Sequence, residues 1–151
     1  MDKIINNIVT LGPIGYFPIG PGTLASIIAA IMAFCINKFF GWQYTLILLL
    51  LVFLIGLYFV DLYVKKLKSN DPPEVVIDEV VGQLVASLMS GSSLGLNIFS
   101  FCLFRFFDIL KPFPINKVEN IKGSFGVMLD DLVAGMFLLV FIIFIRSFYN
   151  F

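Results

Sequence analysis

Between Phe39 and Val60 the chain runs for 22 residues without a charge. A helix needs about 20 apolar residues to cross the hydrocarbon core of a bilayer. Lipid accepts only backbone whose N–H and C=O groups are satisfied within the segment. The run therefore reads as a membrane-spanning helix. Trp42 and Tyr44 near one end and Tyr58 and Tyr63 near the other fit interfacial aromatic belts. Leu24–Asn37 is shorter but also apolar and reads as a second span, with Lys38 snorkelling outward. A tight turn at Phe40–Gly41–Trp42 makes the two an antiparallel pair. A hydrophobic content of 60% over 151 residues places the chain, taken as one domain over 1–151, among integral membrane proteins.

The rest of the chain is less regular. Gly12, Pro13, Gly15, Pro18, Gly20, Pro21 and Gly22 prevent a continuous helix near the N-terminus, and no cleavable signal peptide is evident. Lys65–Glu74 reads as a polar loop whose lysines place it on the cytoplasmic side. Asp71-Pro72-Pro73 ends the preceding helix and lets a third begin from Val75. Val80–Phe104 is uncharged but interrupted at Ser90-Gly91-Ser92-Ser93 and Gly95, leaving halves too short to cross. One continuous crossing would also put Arg105, Lys111, Lys117 and Lys122 outside, against the positive-inside rule. The segment is therefore expected to be a re-entrant helical hairpin, or two helices half-buried at the interface. Lys111-Pro112-Phe113-Pro114 breaks the next helix, Gly123–Gly126 reads as a loop, and Val127–Ile145 is the last span. The expected fold class is all-α: an integral membrane helical bundle of about three spanning helices with a broken or re-entrant segment over 80–104.

Against this apolar background the placement of the acids is unusual. Asp78 and Glu79 open the uncharged run, Asp108 follows it, and Asp130 and Asp131 lie inside GVMLDDLVAGMFLLVFIIF. Ionised carboxylates are costly in apolar surroundings unless neutralised. The chain has no histidine. Carboxylates without imidazole point to a hard, oxygen-loving cation such as Mg²⁺. Phosphohistidine chemistry and a Ser-His-Asp triad are excluded, and zinc is disfavoured without histidine or paired cysteines. Neither Cys35 nor Cys102 has an arginine six residues on, as a cysteine phosphatase requires, and no Asp-x-Asp pair exists. Both cysteines read as buried apolar side chains. Zero net charge gives no case for nucleic acid. What remains is metal-assisted attack on a phosphorus or carbonyl centre.

Each candidate carries a plain structural alternative. Adjacent helix positions point about 100° apart, so Asp78 and Glu79 should not face one point equally. One would ligate a cation and the other would lie behind it, act as a base or pair with a cation; alternatively both sit at a solvated helix N-terminus. Arg105 and Asp108 share a helix face, either as a local ion pair or as a phosphate clamp beside a metal ligand, with Lys111 adding charge. Asp130 and Asp131 are a cation site or an interfacial helix cap. Gly20-Pro21-Gly22-Thr23 could offer Gly22 and Thr23 to an anion at a helix start, or be a Gly/Pro-rich lead-in to the span. IDEVVG (77–82) and LDDLVAG (129–135) share an acid four residues before a glycine, a spacing that brings backbones close on the acid's own face.

Four blocks in order, PIGPGT (18–23), VIDEVVGQ (76–83), FRFFDILKPFPI (104–115) and GVMLDDLVAG (126–135), resemble the phosphatidylglycerophosphatase A family. The resemblance implies a Mg²⁺-dependent lipid phosphatase. It would release phosphate from phosphatidylglycerophosphate, a phospholipid held in the bilayer, during phospholipid synthesis at the bacterial cytoplasmic membrane. On that reading Asp78, Glu79, Asp108, Asp130 and Asp131 gather the metal on the cytoplasmic side, and Asp78, Glu79, Asp108 and Asp131 supply catalysis. Arg105, Lys111, Thr23 and Gly22 bind substrate. The histidine that some members place before the Asp-Glu block is absent, and Asp71 lies in that neighbourhood. The rival readings are a phosphatase for another lipid phosphate, a small membrane cation transporter and a structural membrane subunit.

Overall fold

A computed structural model describes residues 2–69, 72–113, 115–118, 121 and 123–149. Asp71, Pro114 and Lys122, used above as punctuation and charge, lie outside the described residues. The described residues form seven α-helices and no strand: α1 (Asp2–Val9), α2 (Pro21–Phe39), α3 (Trp42–Leu67), α4 (Ile77–Ser87), α5 (Leu94–Leu110), α6 (Ile115–Val118) and α7 (Ser124–Tyr149). Three of them, α2, α3 and α7, are long and apolar enough to cross a membrane. Their outward faces carry exposed Ile31, Ile47, Leu50, Leu54, Val140 and Phe144, as lipid-facing helices do.

The break between α2 and α3 falls at the expected turn, where Gly41 takes a left-handed φ of 102° that glycine adopts without penalty. Several boundaries differ from the sequence reading. Helix α3 continues to Leu67, so Lys65 and Lys66 lie on its last turn, not in a loop; Lys65 pairs with Asp61 at 2.6 Å. The favourable i,i+4 pairing and the dipole attraction of lysines for a helix C-terminus both extend it. Helix α7 starts at Ser124, so Gly126 is helical. Cys35 and Cys102 are exposed, because an apolar residue in a membrane helix can face lipid as readily as protein.

The broken segment is the helical hairpin α4–α5, turned at residues 88–93. Helix α4, at 11 residues, is about 16 Å long, half a bilayer core. All its residues except Glu79 are buried, so it forms the centre of the bundle. Both glycines of the acid-glycine echo lie at its contact with α7. A Cβ on Gly82 would meet the Asp131 carbonyl at 2.6 Å and the Phe104 ring at 2.5 Å, and one on Gly135 would run into the Gly82 carbonyl. The two backbones approach as closely as they do because neither carries a side chain there.

A buried polar seam holds the hairpin in register. Thr45 Oγ1 donates to Asn37 Oδ1 at 2.7 Å, and Asn37 Nδ2 donates to the Ser87 carbonyl at 2.8 Å. Gln83 Nε2 donates to Ser87 Oγ at 2.8 Å, and Asn97 Nδ2 donates to the Ala30 carbonyl at 3.0 Å. These bonds tie α2, α3, α4 and α5 together away from water, where an unpaired polar group would be expensive. At the other end, Val76 N donates to the Val9 carbonyl at 3.0 Å and Tyr63 Oη donates to Glu74 Oε1 at 2.8 Å, which anchors the lead-in to α4.

Gly135→Val should lower the thermal midpoint of the detergent-solubilised protein, because overpacking costs about 1–3 kcal/mol and backbone cannot yield to relieve it. Gly95→Ala, whose Cβ would meet only Ser93 Oγ at 3.9 Å, should leave the midpoint unchanged or raise it. Equal midpoints for the two variants would refute the close-contact account.

Candidate active site

At the end of the bundle where α4 and α7 begin and α5 ends, a cavity of about 150 Å³ is lined by Pro72, Pro73, Val75, Asp78, Glu79, Asp108, Lys111, Asp130 and Asp131. All five acids singled out from the sequence thus come together. Asp78 and Glu79 lie in the first turn of α4, where the helix dipole favours negative charge. One carboxylate oxygen from each of Asp78, Glu79 and Asp131 lies within 4.8 Å of the other two. Both members of the Asp78–Glu79 pair therefore reach one point.

The cationic residues are already engaged. Arg105 pairs with Asp108 one turn further along α5. Lys111 Nζ pairs with Asp130 Oδ2 at 2.8 Å. Lys111 ends α5 with φ 42°, a left-handed conformation uncommon for a residue with a Cβ and typical of strained functional positions. That turn and Pro112 after it direct the chain back over the cavity. Asp130 Oδ1 also accepts from the Asp131 N–H at 2.9 Å. Five carboxylates therefore face two cations.

Asp78 and Glu79 lie outside the three spans. Burial holds the Asp78 carboxyl well above its usual range, and the neighbouring Glu79 and Asp131 carboxylates push the same way. Burial raises Glu79 as well. Asp78 Oδ1 and Glu79 Oε2 are buried without a hydrogen-bond partner. Orphaned acceptors of this kind, in a cluster offering only oxygen, match the donor set of a hard divalent cation. Asp78, Glu79 and Asp131 could hold it, with Asp108 and Asp130 alongside.

The first sequence block divides. Gly22, at the start of α2, backs directly onto Glu79, and any Cβ there would collide with Glu79 Oε1. Gly20, left-handed at φ 63°, turns the chain into that helix. Thr23 is half-buried and is not among the residues lining the cavity. Pro72 and Pro73, read from sequence only as a helix stop, form part of the cavity wall.

This constellation has relatives. A profile of the family described as phosphatidylglycerophosphatase A matches residues 7–146. The chain belongs to the phosphatidylglycerophosphatase A family. It is 34% identical over 122 residues to the phosphatidylglycerophosphatase A of Haemophilus influenzae, covering 80% of this chain and 75% of that one. It is 32% identical over 124 residues to the Escherichia coli protein of the same name, covering 81% and 72%. A Bacteroides thetaiotaomicron protein, provisionally named a phosphatidylinositol-3-phosphatase, is 36% identical over 136 residues, covering 85% and 84%. No solved structure matches. The matched range spans all four blocks noted in the sequence.

The raised carboxyls have a consequence for stability without a cation. The folded state retains protons on Asp78 and Glu79 at pH values where the unfolded chain has lost them, so it binds more protons there. Stability is then greatest below the ordinary carboxylate range and falls as pH rises through the raised values. In EDTA the thermal midpoint should therefore decline from pH 5 to pH 8. Asp78→Asn should flatten the decline and raise the midpoint at pH 8. A wild-type midpoint that climbs over this range would contradict the picture.

Proposed function

We propose that this protein is a Mg²⁺-dependent phosphatase that removes the terminal phosphate of phosphatidylglycerophosphate, giving phosphatidylglycerol and inorganic phosphate in phospholipid biosynthesis. The observation that carries the reading is the convergence of five carboxylates and Lys111 around one cavity, with Arg105 paired to Asp108 of its wall, at one end of helices long and apolar enough to cross a membrane. Membership of the family and the names of the Haemophilus and Escherichia relatives support the substrate.

Asp78, Glu79 and Asp131 would hold the metal, with Asp108 and Asp130 completing its surroundings. Bound there, Mg²⁺ supplies a Lewis acid that neutralises phosphate oxygens and lowers the pKa of water. The chain does the rest. Arg105 presents a planar fork suited to two phosphate oxygens, and Lys111 presents a point charge. Both would offset charge as the phosphorus–oxygen bond to the glycerol breaks; overall, the oxygen of one water molecule ends on phosphorus and one of its protons on the leaving glycerol oxygen. Asp108 and Asp130 hold the two cationic side chains in place until substrate arrives. The acids stand at helix ends, where a headgroup can reach them while its acyl tails stay in lipid. That placement favours a phosphatase over an ion-conducting role, which needs acids at mid-membrane.

The distribution of charge supports a cytoplasmic side for the cavity. Lys65, Lys66, Lys111 and Lys117 lie at the acid end, whereas Lys38 and Arg146 lie at the ends of their helices away from it. By the positive-inside rule the cavity faces the cytoplasm of a bacterial cytoplasmic membrane.

One observation favours a second reading. The Bacteroides relative carries a name that specifies a phosphoinositide monoester, and the same cavity chemistry would serve any lipid phosphomonoester. Phosphate release should be measured on phosphatidylglycerophosphate, phosphatidylinositol 3-phosphate and phosphatidic acid with purified protein. The first should be hydrolysed fastest, with activity abolished by EDTA and restored by Mg²⁺. Asp131→Asn and Arg105→Ala should each lower kcat/KM by roughly 100-fold or more, the scale for removing one group that stabilises transition-state charge. Wild-type rates in both variants would sink the assignment; faster release from another of the three lipids would move the substrate but keep the site.

A further inference from the structure

A second cavity, of about 210 Å³, lies between α5 and α7 and is lined by Leu103, Phe107, Phe137, Leu138 and Phe141. Its form follows from helical spacing. Leu103 and Phe107 are four apart on α5, and Phe137 and Phe141 are four apart on α7, so each pair makes a ridge along its helix. Leu138 is buried and forms the floor between the ridges. Phe137 is 48% and Phe141 45% exposed, so the groove opens on the outer surface of the bundle, where lipid lies. At the end farthest from the acids, Phe141 stacks on Phe99 of α5 with ring centres 6.2 Å apart.

The groove is continuous in depth with the acid cavity. The same two helices supply both: α5 carries Phe107 next to Asp108, and α7 carries Asp130 and Asp131 ahead of Phe137. Leu103 lies five residues before Asp108, about 8 Å along α5. Leu138 and Phe141 lie seven and ten residues beyond Asp131, about 10 and 15 Å along α7. The headgroup layer of a bilayer is roughly 5–8 Å deep on each side of the hydrocarbon. A lipid whose phosphate sits at the acids therefore has its acyl chains at the depth of the groove. Size narrows the occupant further. A cavity of about 150 Å³ lined by Leu, Ile and Phe holds a benzene-sized guest. The groove accommodates a run of alkyl chain, but not a helix of another subunit, which is about 10 Å across.

We infer, resting on the lipid-phosphatase function proposed for the acid cavity, that this groove is an acyl-chain subsite for the same substrate. One fatty-acyl chain lies between the two ridges while the phosphate occupies the acid cavity. The groove does not hold the chain by hydrophobicity, because the chain leaves surroundings as apolar as those it enters. It acts through fit. A chain confined between α5 and α7 sets the height and rotation of the headgroup at the acids, and orientation of a reacting group is worth a large share of a barrier. Leu103, Phe107, Phe137, Leu138 and Phe141 are chain-binding residues on this account, and they discriminate an acylated substrate from its bare headgroup.

The test uses the full-length protein in mixed detergent micelles with Mg²⁺. Phosphate release is measured on dimyristoyl phosphatidylglycerophosphate and on its deacylated headgroup, and the ratio of the two kcat/KM values is taken. Leu103→Trp, which fills the groove, and Phe137→Ala, which removes part of one ridge, should each lower that ratio by roughly tenfold or more, since small misplacements of a reacting group cost rate on that scale. Val140→Trp, exposed on α7 but outside the groove, should keep the wild-type ratio. Occupancy is read separately with a non-hydrolysable phosphonate analogue of the lipid that carries a photoreactive diazirine in one acyl chain. Adducts should map to 103–107 and 137–141. Excess phosphatidylglycerophosphate should suppress them, and the same excess of phosphatidylcholine should not. That labelling pattern in a wild-type protein that hydrolyses neither substrate would keep the groove as a lipid subsite and remove the phosphatase reading. Wild-type ratios in both groove variants would overturn the inference. So would adducts absent from the groove, spread evenly over exposed Ile31, Leu50 and Val140, or displaced equally by phosphatidylcholine, which would leave the groove to bulk lipid.

Discussion

The close approach of α4 and α7 at Gly82 and Gly135 is the contact on which the rest of this structure depends. Without a side chain at either position the two backbones meet almost directly. In each helix an acid precedes its glycine by one turn, Asp78 in α4 and Asp131 in α7. The helical repeat then puts both carboxylates on the contacting face, just beyond the point of closest approach. Packing in lipid has no hydrophobic driving force between helices and rests on such fit. The fit that stabilises the bundle is therefore the same fit that forces like charges together.

That coupling explains why so much of the chain secures a helix of only eleven residues. Helix α4 cannot span, and left alone in lipid its ends would expose unpaired backbone groups. The structure answers with a ring of supports. Val9 and Tyr63 hold its lead-in, Asn37, backed by Thr45, holds its far end at Ser87, Asn97 ties the returning α5 to α2, and Arg146 closes the turn through Met89. Each polar bond is worth little net against water, but breaking one in a buried setting leaves a costly orphan. The hairpin is thus held in a single register, which the acids at its mouth require.

The legible and illegible parts of the sequence separate on physical grounds. Long uncharged runs declare their helices because the hydrocarbon core sets a length, and so α2 and α7 were readable to within a few residues, whereas the end of α3 at Leu67, beyond Val60, was hidden by the charges of its last turns. The interruption at Ser90–Ser93 announced a hairpin because neither half could cross. Acids in apolar context announced a site, since only a functional or paired role tolerates them. The contact partners were not readable. Asn37 and Asn97 look like stray polar residues until the fold pairs them with Ser87 and Ala30, 50 and 67 positions away. The exposure of Cys35 and Cys102 was misread because apolar character does not distinguish a lipid-facing position from a buried one. Pairwise direction rules also failed at Asp78 and Glu79, which both line one cavity and each bring a carboxylate oxygen within 4.8 Å of the other.

The distribution of charge inside the first cavity carries the functional argument furthest. Arg105 and Lys111 do not neutralise the acids evenly. They pair with Asp108 and Asp130, the two carboxylates nearest the ends of their own connections, and leave Asp78, Glu79 and Asp131 clustered. A protein that only needed to quench buried charge would spread its cations over the cluster. Here the uncompensated carboxylates form one group of oxygen donors, and the cationic side chains stand beside it. On the proposed reading, this arrangement would give a positive ion and a negative one separate places within a single small cavity. A phosphate monoester bridged to a divalent cation has that same polarity. On the proposed reading, the cation itself would offset the excess negative charge that α4 and α7, by packing so closely, impose on each other.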